Sequence, residues 1–255
     1  MGWRSYVAVG DSFTEGMNDI APDGTMRGWA DLVAARLAEE APDGFRYANL
    51  AIRGRLFGRI VDEQVPAALG MAPELVSFAG GGNDVLRRNF DPAPMLARFD
   101  DVIRGFRAAG ADVILFRWVD VSGRLPGRRL ILPRTIMLND AVRATGERHG
   151  AMVIDLWADD EFANPLLWSD DRLHMSSIGH RRVAAHVLTA LGIKPDPEWL
   201  ASPGVAPRLS WAAARGSDVR WARQHLAPWV KRRLTGRSSG DLIGAKRPVL
   251  GAFPD

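Results

Sequence analysis

Five short apolar segments alternate with five helix-like segments along the first 191 residues of the chain. The apolar segments predict strands at 6–9, 47–51, 74–79, 113–118 and 152–156. Apolar residues recur at helical spacing between and after them, which predicts helices over 28–40, 60–69, 95–109, 133–149 and 178–191. Consecutive strand–helix–strand units have right-handed connections and form a parallel sheet with helices on both faces. The sequence therefore predicts an α/β fold around a central five-stranded parallel sheet.

The C-terminal part of the chain differs in charge from the rest. Residues 196–255 contain ten Lys and Arg but five Asp and Glu, whereas the preceding residues carry a slight excess of acidic side chains. Four of the nine tryptophans also lie there, at Trp199, Trp211, Trp221 and Trp229. We therefore predict one domain over 1–195 and a basic, Trp- and Arg-rich extension over 196–255, whose last residues, 236–255, are extended or disordered.

The tryptophans and arginines of this extension allow two interpretations. Tryptophan interspersed with arginine is typical of a weak contact with an anionic membrane surface or of nucleic-acid binding. Alternatively, the aromatic rings pack onto the body while the arginines remain solvated, and we favour this because Pro228 interrupts the one amphipathic segment. No nucleic-acid-binding module is recognisable, so no specific nucleic-acid partner is expected.

The composition also restricts the chemistry and the compartment. The chain has no cysteine, which excludes disulfides, cysteine-ligated zinc and thiol catalysis, and fits a reducing compartment. It has no run of 18 apolar residues, and no signal-sequence pattern precedes the first predicted strand. These features predict a cytoplasmic protein.

The first predicted strand ends at Gly10-Asp11-Ser12. Parallel α/β sheets place their chemistry just beyond the carboxyl ends of strands, so Ser12 is well placed to be a nucleophile. Ser12 is also followed three residues later by Glu15, the spacing of a helix capping box. The tripeptide alone does not decide between nucleophile and cap.

Polar residues with complementary chemistry follow the other strands. Gly54 follows the second strand, Asn83 follows the third, and Asp171 and His174 precede the last predicted helix. Ester hydrolysis by a serine needs a base, a group that orients the base, and donors for the oxyanion. His174 is the candidate base and Asp171 its orienting group. The candidate oxyanion donors are the main-chain N–H groups of Ser12 and Gly54 and the side-chain amide of Asn83.

These blocks resemble those of the SGNH hydrolases, also called GDSL lipases or esterases. The resemblance covers roughly residues 5–192, and four blocks occur in the family's order: Gly10-Asp11-Ser12-Phe13, Asn49 to Gly54, Gly81-Gly82-Asn83-Asp84, and Asp171-Arg172-Leu173-His174. Phe13 stands where the family usually has Leu. Gly58 competes with Gly54 for the role of the family's glycine. It implies a flavodoxin-like α/β/α sandwich. It also implies a serine acylhydrolase that acts on small-molecule esters through an acyl-enzyme, without a metal or organic cofactor.

Three other functions remain open at this stage. An acyltransferase would use the same residues, with a sugar or lipid hydroxyl in place of water. A binding protein on this fold would keep the site without using it. A metal-dependent phosphoesterase would use the oxygen and nitrogen ligands among Asp11, Asn83, Asp84, Asp171 and His174, although such sites usually contain more than one histidine.

Overall fold

A computed structural model describes residues 2–41, 43–207, 210–235 and 238–254 of the chain. Its centre is a six-stranded sheet in the order β5-β4-β3-β1-β2-β6. The first five strands pair in parallel, and the order 2-1-3-4-5 is that of flavodoxin-like folds. The strands are β1 (Ser5–Gly10), β2 (Arg46–Asn49), β3 (Leu75–Ala79), β4 (Asp112–Arg117), β5 (Met152–Asp155) and β6 (Arg247–Ala252). The predicted α/β fold is confirmed, with six strands rather than five.

Helices cover both faces of this sheet. The α-helices are α1 (Ser12–Glu15), α2 (Trp29–Glu39), α3 (Phe57–Arg59), α4 (Val65–Gly70), α5 (Gly82–Val85), α6 (Pro92–Ala108), α7 (Arg128–His149), α8 (Ser177–Ala190), α9 (Trp211–Trp221) and α10 (Ala227–Leu234). Two π-helical turns, Ile60–Gln64 and Ala222–Leu226, join α3 to α4 and α9 to α10. Three 3-10 turns are Asp160–Ala163, Pro165–Leu167 and Pro197–Trp199.

Two hydrophobic layers sandwich the sheet. Successive side chains of a strand point to opposite faces, and on β1 both sets are buried: Tyr6 and Ala8 belong to one layer, Val7 and Val9 to the other. The first layer includes apolar residues of α2 and α8, and the second includes those of α6 and α7. Burial on both faces explains why the strand reads as a continuous apolar run.

The sixth strand comes from the C-terminal extension. It pairs antiparallel with β2, with Arg46 opposite Ala252 and Tyr47 opposite Gly251. The ring of Phe253, just beyond it, lies edge-on to Tyr47 at 5.3 Å between centroids. Residues 247–252 are therefore extended, one of the two alternatives predicted for 236–255, and their pairing with β2 shifts register between Tyr47 and Asn49. Gly236, Arg237 and Asp255 lie outside the described residues. The division of the chain at residue 195 stays a prediction.

None of the helices in the described ranges combines the length and the apolar character needed to cross a membrane.

Candidate active site

The turn after β1 places Ser12 at the carboxyl edge of the sheet. Asp11, not Ser12, caps α1: its Oδ1 accepts a hydrogen bond from the N–H of Phe13 at 3.1 Å. Glu15 does not reach back to the cap, because its carboxylate pairs with Arg53 and accepts the Arg53 main-chain N–H at 2.7 Å. The predicted capping box is therefore wrong. Ser12 is the first residue of the helix, and its side chain is free to face the site.

Three side chains form a continuous chain of hydrogen bonds across this edge. His174 Nε2 lies 2.9 Å from Ser12 Oγ, and His174 Nδ1 lies 2.6 Å from Asp171 Oδ2. An ionised carboxylate only accepts hydrogen bonds, so Nδ1 carries the proton and Nε2 accepts from the serine hydroxyl. The structure thus brings together residues that are 162 positions apart in the chain.

Asp171 is held by donors from several directions. Its Oδ1 accepts from the main-chain N–H groups of Leu173 and His174 and from the hydroxyl of Ser169, and its Oδ2 also accepts from Asn18 Nδ2 at 3.1 Å. Burial by itself raises the pKa of Asp171, but the hydrogen bonds and the electrostatic interaction with His174 outweigh it and hold that pKa well below its usual range. No sequence motif identified Asn18 or Ser169 as partners of Asp171, because both contacts are made only in the folded chain.

Asn83 faces Asp11 beside the serine. Its Nδ2 donates to Asp11 Oδ2 at 2.9 Å and to the main-chain carbonyl of Arg55 at 3.1 Å. Burial raises the pKa of Asp11 to about 6, against the opposing effect of the hydrogen bonds from Phe13 and Asn83. Both hydrogens of the Asn83 amide are thus directed at protein acceptors in this structure.

Gly54 lies on the same side of the site. Its φ of +73° is in the left-handed region that favours glycine, and a Cβ there would lie 2.4 Å from Ser238 Oγ. The competing Gly58 lies within α3, where the nearest atom to an added Cβ is Arg98 Nη1 at 3.9 Å. Gly54 lines a cavity together with Ser12 and Asn83, and Gly58 does not.

His180, six residues after His174, does not hydrogen-bond to Ser12 or Asp171 but packs against α2 and the loop after α1. It is buried, its Nδ1 accepts from the N–H of Trp29 at 3.3 Å, and its Nε2 donates to the carbonyl of Met17 at 3.1 Å. Burial lowers the pKa of His180 to about 4, so the ring is neutral at pH 7. These contacts join the loop after α1 to α2 and α8.

Two cavities of very different size meet at the serine, and both are lined by Ser12, Asn83 and His174. The smaller holds about 90 Å³ and is walled largely by buried and half-buried apolar side chains, including Phe13, Trp118, Leu138, Trp168 and Met175. The larger holds about 690 Å³ and lies between Leu125–Ile131 and the C-terminal extension. The extension lines it with Trp221, Leu226, Pro228, Trp229 and Val230.

The candidate ligands of the metal-dependent alternative do not gather around one point. Within the described ranges, no group of three or more His, Asp and Glu side chains is placed to hold a metal ion. Asp84 accepts the main-chain N–H of Phe57 at 2.9 Å, and Asp171 is occupied by His174 and Asn18.

Serine, histidine and aspartate side chains that are hydrogen-bonded in series, at the carboxyl edge of a parallel sheet, are the arrangement of a serine hydrolase. The chain belongs to the GDSL-like lipase/acylhydrolase family, whose model matches residues 8–182, and it is a carboxylic ester hydrolase. The resemblance to the SGNH hydrolases is thereby confirmed. No curated protein sequence matches the chain.

Several solved structures are similar to this one. TesA is 25% identical over 73% of this chain and 97% of its own, with a TM-score of 0.60. A variant of Axe2, an acetyl xylan esterase from Geobacillus stearothermophilus, is 19% identical over 76% of this chain and 96% of its own, with a TM-score of 0.62. The esterase EstA from Pseudoalteromonas sp. is 18% identical over 74% and 97%, with a TM-score of 0.58.

Proposed function

We propose that the protein hydrolyses carboxylic esters with a short acyl group, and that Ser12, His174 and Asp171 are its catalytic triad. The observation that carries this proposal is the unbroken hydrogen-bond chain from Ser12 Oγ through His174 to Asp171, at 2.9 and 2.6 Å. Both distances are within the reach that proton transfer requires.

The reaction follows from this arrangement. Ser12 Oγ attacks the acyl carbon while His174 Nε2 takes its proton. His174 then gives that proton to the departing alcohol, and the acyl group stays on Ser12. Water attacks the acyl-enzyme with His174 again as the base, which releases the carboxylic acid and restores the serine hydroxyl. Asp171 remains ionised and stabilises the imidazolium in both steps.

The oxyanion forms beside three candidate donors. These are the main-chain N–H groups of Ser12 and Gly54 and the Nδ2 of Asn83, all of which line the larger cavity. Asn83 already donates to Asp11 and Arg55, so it serves the oxyanion only when one of these hydrogen bonds is exchanged. Removal of one such donor typically costs about 2.7–4 kcal/mol of transition-state stabilisation.

The smaller cavity supports a short acyl group. Its volume of about 90 Å³ is below the ~150 Å³ of an apolar cavity that admits benzene, which favours acyl groups of roughly two to four carbons. An acetyl group is also what the name of the structurally similar acetyl xylan esterase indicates for that protein. Its walls are largely apolar and none of the residues that line it is exposed, so the cavity suits a hydrocarbon group that stays attached to the enzyme until water arrives.

A p-nitrophenyl ester series from acetate to decanoate tests both parts of the proposal. We expect the highest kcat/KM at acetate to butyrate, and a loss of at least about 10³-fold in Ser12→Ala and His174→Ala. Ser202→Ala, a change at an exposed serine remote from the site, is the matched control and should retain wild-type rates. Equal rates in Ser12→Ala and wild type would overturn the triad.

Acyl transfer uses the same residues, so we propose hydrolysis as the principal reaction and transfer as the alternative. Mass spectrometry of the products, with and without a sugar or glycerol acceptor, measures how the acyl-enzyme partitions between water and the acceptor. A chain that binds esters without turnover of any of them would instead be a binding protein on this fold.

The remaining sequence predictions are retained as proposals. These are the cytoplasmic location, the absence of a cofactor and of a specific nucleic-acid partner, and the boundary between 1–195 and 196–255. A weak contact of the extension with an anionic surface is also retained, since Arg215, Arg220 and Lys231 are exposed on it. Co-sedimentation with anionic and neutral vesicles tests this contact, and equal binding to both would exclude it.

A further inference from the structure

The larger cavity has a wall that the family match does not include. The match ends at residue 182, whereas the segment 221–232 forms one side of the cavity that opens at Ser12. The opposite side is formed by Leu125, Leu130 and Ile131, at and before the start of α7. The C-terminal extension therefore contributes directly to the space in which a substrate would lie.

The extension contacts the body at the start of this segment and again at residues 238–241, beyond its end. At one end, Trp221 Nε1 donates to the main-chain carbonyl of Asp171 at 2.9 Å. There Arg172 also pairs with Asp218 at 2.9 Å and lies over the Trp221 ring, 4.9 Å from its centroid. These contacts fix the start of the segment on the loop that carries His174.

The other end is attached near the candidate oxyanion glycine. Ser238 Oγ donates to the carbonyl of Gly54 at 3.1 Å. Asp241 accepts from Arg59 at 3.2 Å and lies 3.7 Å from Arg55. Trp221 thus lies on the loop of the base, and Ser238 lies on the loop of Gly54.

We propose that this tail-walled cavity is the subsite for the alcohol part of the ester, and that it selects a bulky apolar alcohol, with Leu226 and Trp229 as specificity-determining residues. The proposal rests on the ester hydrolysis proposed above. The extension lines the cavity mainly with apolar side chains, Trp221, Leu226, Pro228, Trp229 and Val230. A cavity of about 690 Å³ falls within the roughly 300–1,000 Å³ of sites that enclose drug-sized ligands.

The two cavities differ in size and in the exposure of their walls. The acyl group stays on Ser12 through the second half of the reaction, and the cavity of about 90 Å³ suits a short chain. The alcohol departs midway and water takes its place, so the alcohol needs a cavity whose wall reaches the surface. Leu130 and Val230 of the larger cavity are 53% and 39% exposed, whereas the residues that line the smaller one are buried or half-buried.

Two acetate esters test the proposal by holding the acyl group constant. We expect kcat/KM for 2-naphthylmethyl acetate to exceed that for ethyl acetate by about tenfold or more. Trp229→Ala should reduce this ratio by about tenfold, the loss expected for one aromatic contact. Trp211→Ala is the matched control, because Trp211 is 77% exposed and does not line the cavity, and it should leave the ratio unchanged.

A second variant and a binding measurement make the outcome independent of catalysis. Leu226→Trp narrows the cavity and should lower kcat/KM for the naphthylmethyl ester selectively. Calorimetry on Ser12→Ala should show binding of 2-naphthalenemethanol, and adding Trp229→Ala should weaken it about tenfold.

The results separate this proposal from the esterase function. Ester turnover with no preference for the larger alcohol, and no binding of 2-naphthalenemethanol, would overturn the alcohol subsite and leave the esterase intact. A Trp229→Ala effect confined to long acyl chains, such as p-nitrophenyl decanoate, would overturn the assignment of the cavity to the alcohol. Binding of the alcohol without turnover of any ester would overturn the esterase and support the cavity.

Discussion

The side-chain amide of Asn83 donates a hydrogen bond to the carboxylate of Asp11, across 2.9 Å and 72 residues of sequence. Asp11 in turn caps α1 through the N–H of Phe13. One carboxylate therefore orients both the helix that begins with Ser12 and the side-chain amide proposed as an oxyanion donor. Asp11 therefore connects the turn that carries Ser12 to the loop that carries Asn83.

Asp11→Asn should lower kcat for p-nitrophenyl acetate about fivefold, with a small change in KM, because one hydrogen bond is worth about 1 kcal/mol. The new amide cannot accept from both Phe13 and Asn83, since one of its two atoms is a donor. Asp91→Asn is the matched control: Asp91 also caps a helix, α6, but far from Ser12 in the chain. An unchanged kcat in Asp11→Asn would show that Asn83 needs no orientation by Asp11.

A substitution at Asn18 should reveal its effect on Asp171. Asn18→Gly removes the side-chain amide that donates to Asp171. Glycine tolerates the φ of +72° at this position, so the backbone conformation is kept. We expect kcat to fall by roughly three- to tenfold, since a hydrogen bond to a charged group is lost but four other donors to Asp171 remain.

Asn18→Asp is the informative comparison at the same position. It places a second carboxylate beside Asp171, so kcat should fall further than in Asn18→Gly and recover in part as the salt concentration rises. The steady-state rates of the three proteins at low and high salt measure this. Equal rates for the glycine and aspartate variants would argue against an electrostatic role for this position.

The five parallel strands were predictable because each contains a short apolar run, and most of these apolar residues are buried, although β5 buries only Ile154. Four site residues were identifiable for a related reason: each follows a predicted strand or precedes a predicted helix, so the local sequence indicates its position at the edge of the sheet. These residues are Ser12, Asn83, Asp171 and His174. Their mutual distances follow from the sheet, which brings strand ends together. The functional roles of these residues stay predictions until the variants are measured.

Contacts between distant segments were not predictable in this way. The spacing of Ser12 and Glu15 was compatible with a capping box, but the Glu15 carboxylate pairs with Arg53 instead. Strand β6 contains Pro248 and Gly251 and shows no alternation of apolar and polar residues. An edge strand tolerates proline because only one side needs hydrogen-bond donors, so the usual strand pattern is absent there.

His180 should make the folded state less stable in acid. Its pKa is about 4 in the folded protein and 6.5 ordinarily, so between these values the unfolded chain binds more protons. The free energy of unfolding therefore falls as pH drops below about 6.5 and levels off near 4, with a total loss of roughly 3 kcal/mol. Protonation also removes the acceptor for the N–H of Trp29.

Urea unfolding of wild type and His180→Gln from pH 4 to 7 measures this contribution. The variant should be less stable at pH 7 and should lose less stability on acidification than wild type does. His225→Gln, a change on the extension, should keep the wild-type pH dependence. Parallel curves for wild type and His180→Gln would show that another group causes the acid instability.

Lys246 joins the extension to the loop after α1. Its Nζ donates to the main-chain carbonyls of Glu15 and Arg27 at 2.6 and 2.5 Å, and to Asp31 Oδ2 at 2.5 Å. Burial lowers the pKa of Lys246 and raises that of Asp31 to about 6, so the two groups depend on each other for their charges. This contact lies immediately before β6.

Lys246→Met should reduce the free energy of unfolding by about 2–4 kcal/mol, because it leaves the buried Asp31 carboxylate and the main-chain carbonyls without their donor. Asp31→Asn combined with Lys246→Met should cost less than the sum of the single changes, since the uncompensated charge is removed. Lys231→Met, at an exposed site on α10, should have little effect. If Lys246→Met unfolds at the wild-type urea concentration, the extension is not anchored here, and the pairing of β6 with β2 and the contacts of Trp221 and Ser238 with the body would have to hold it.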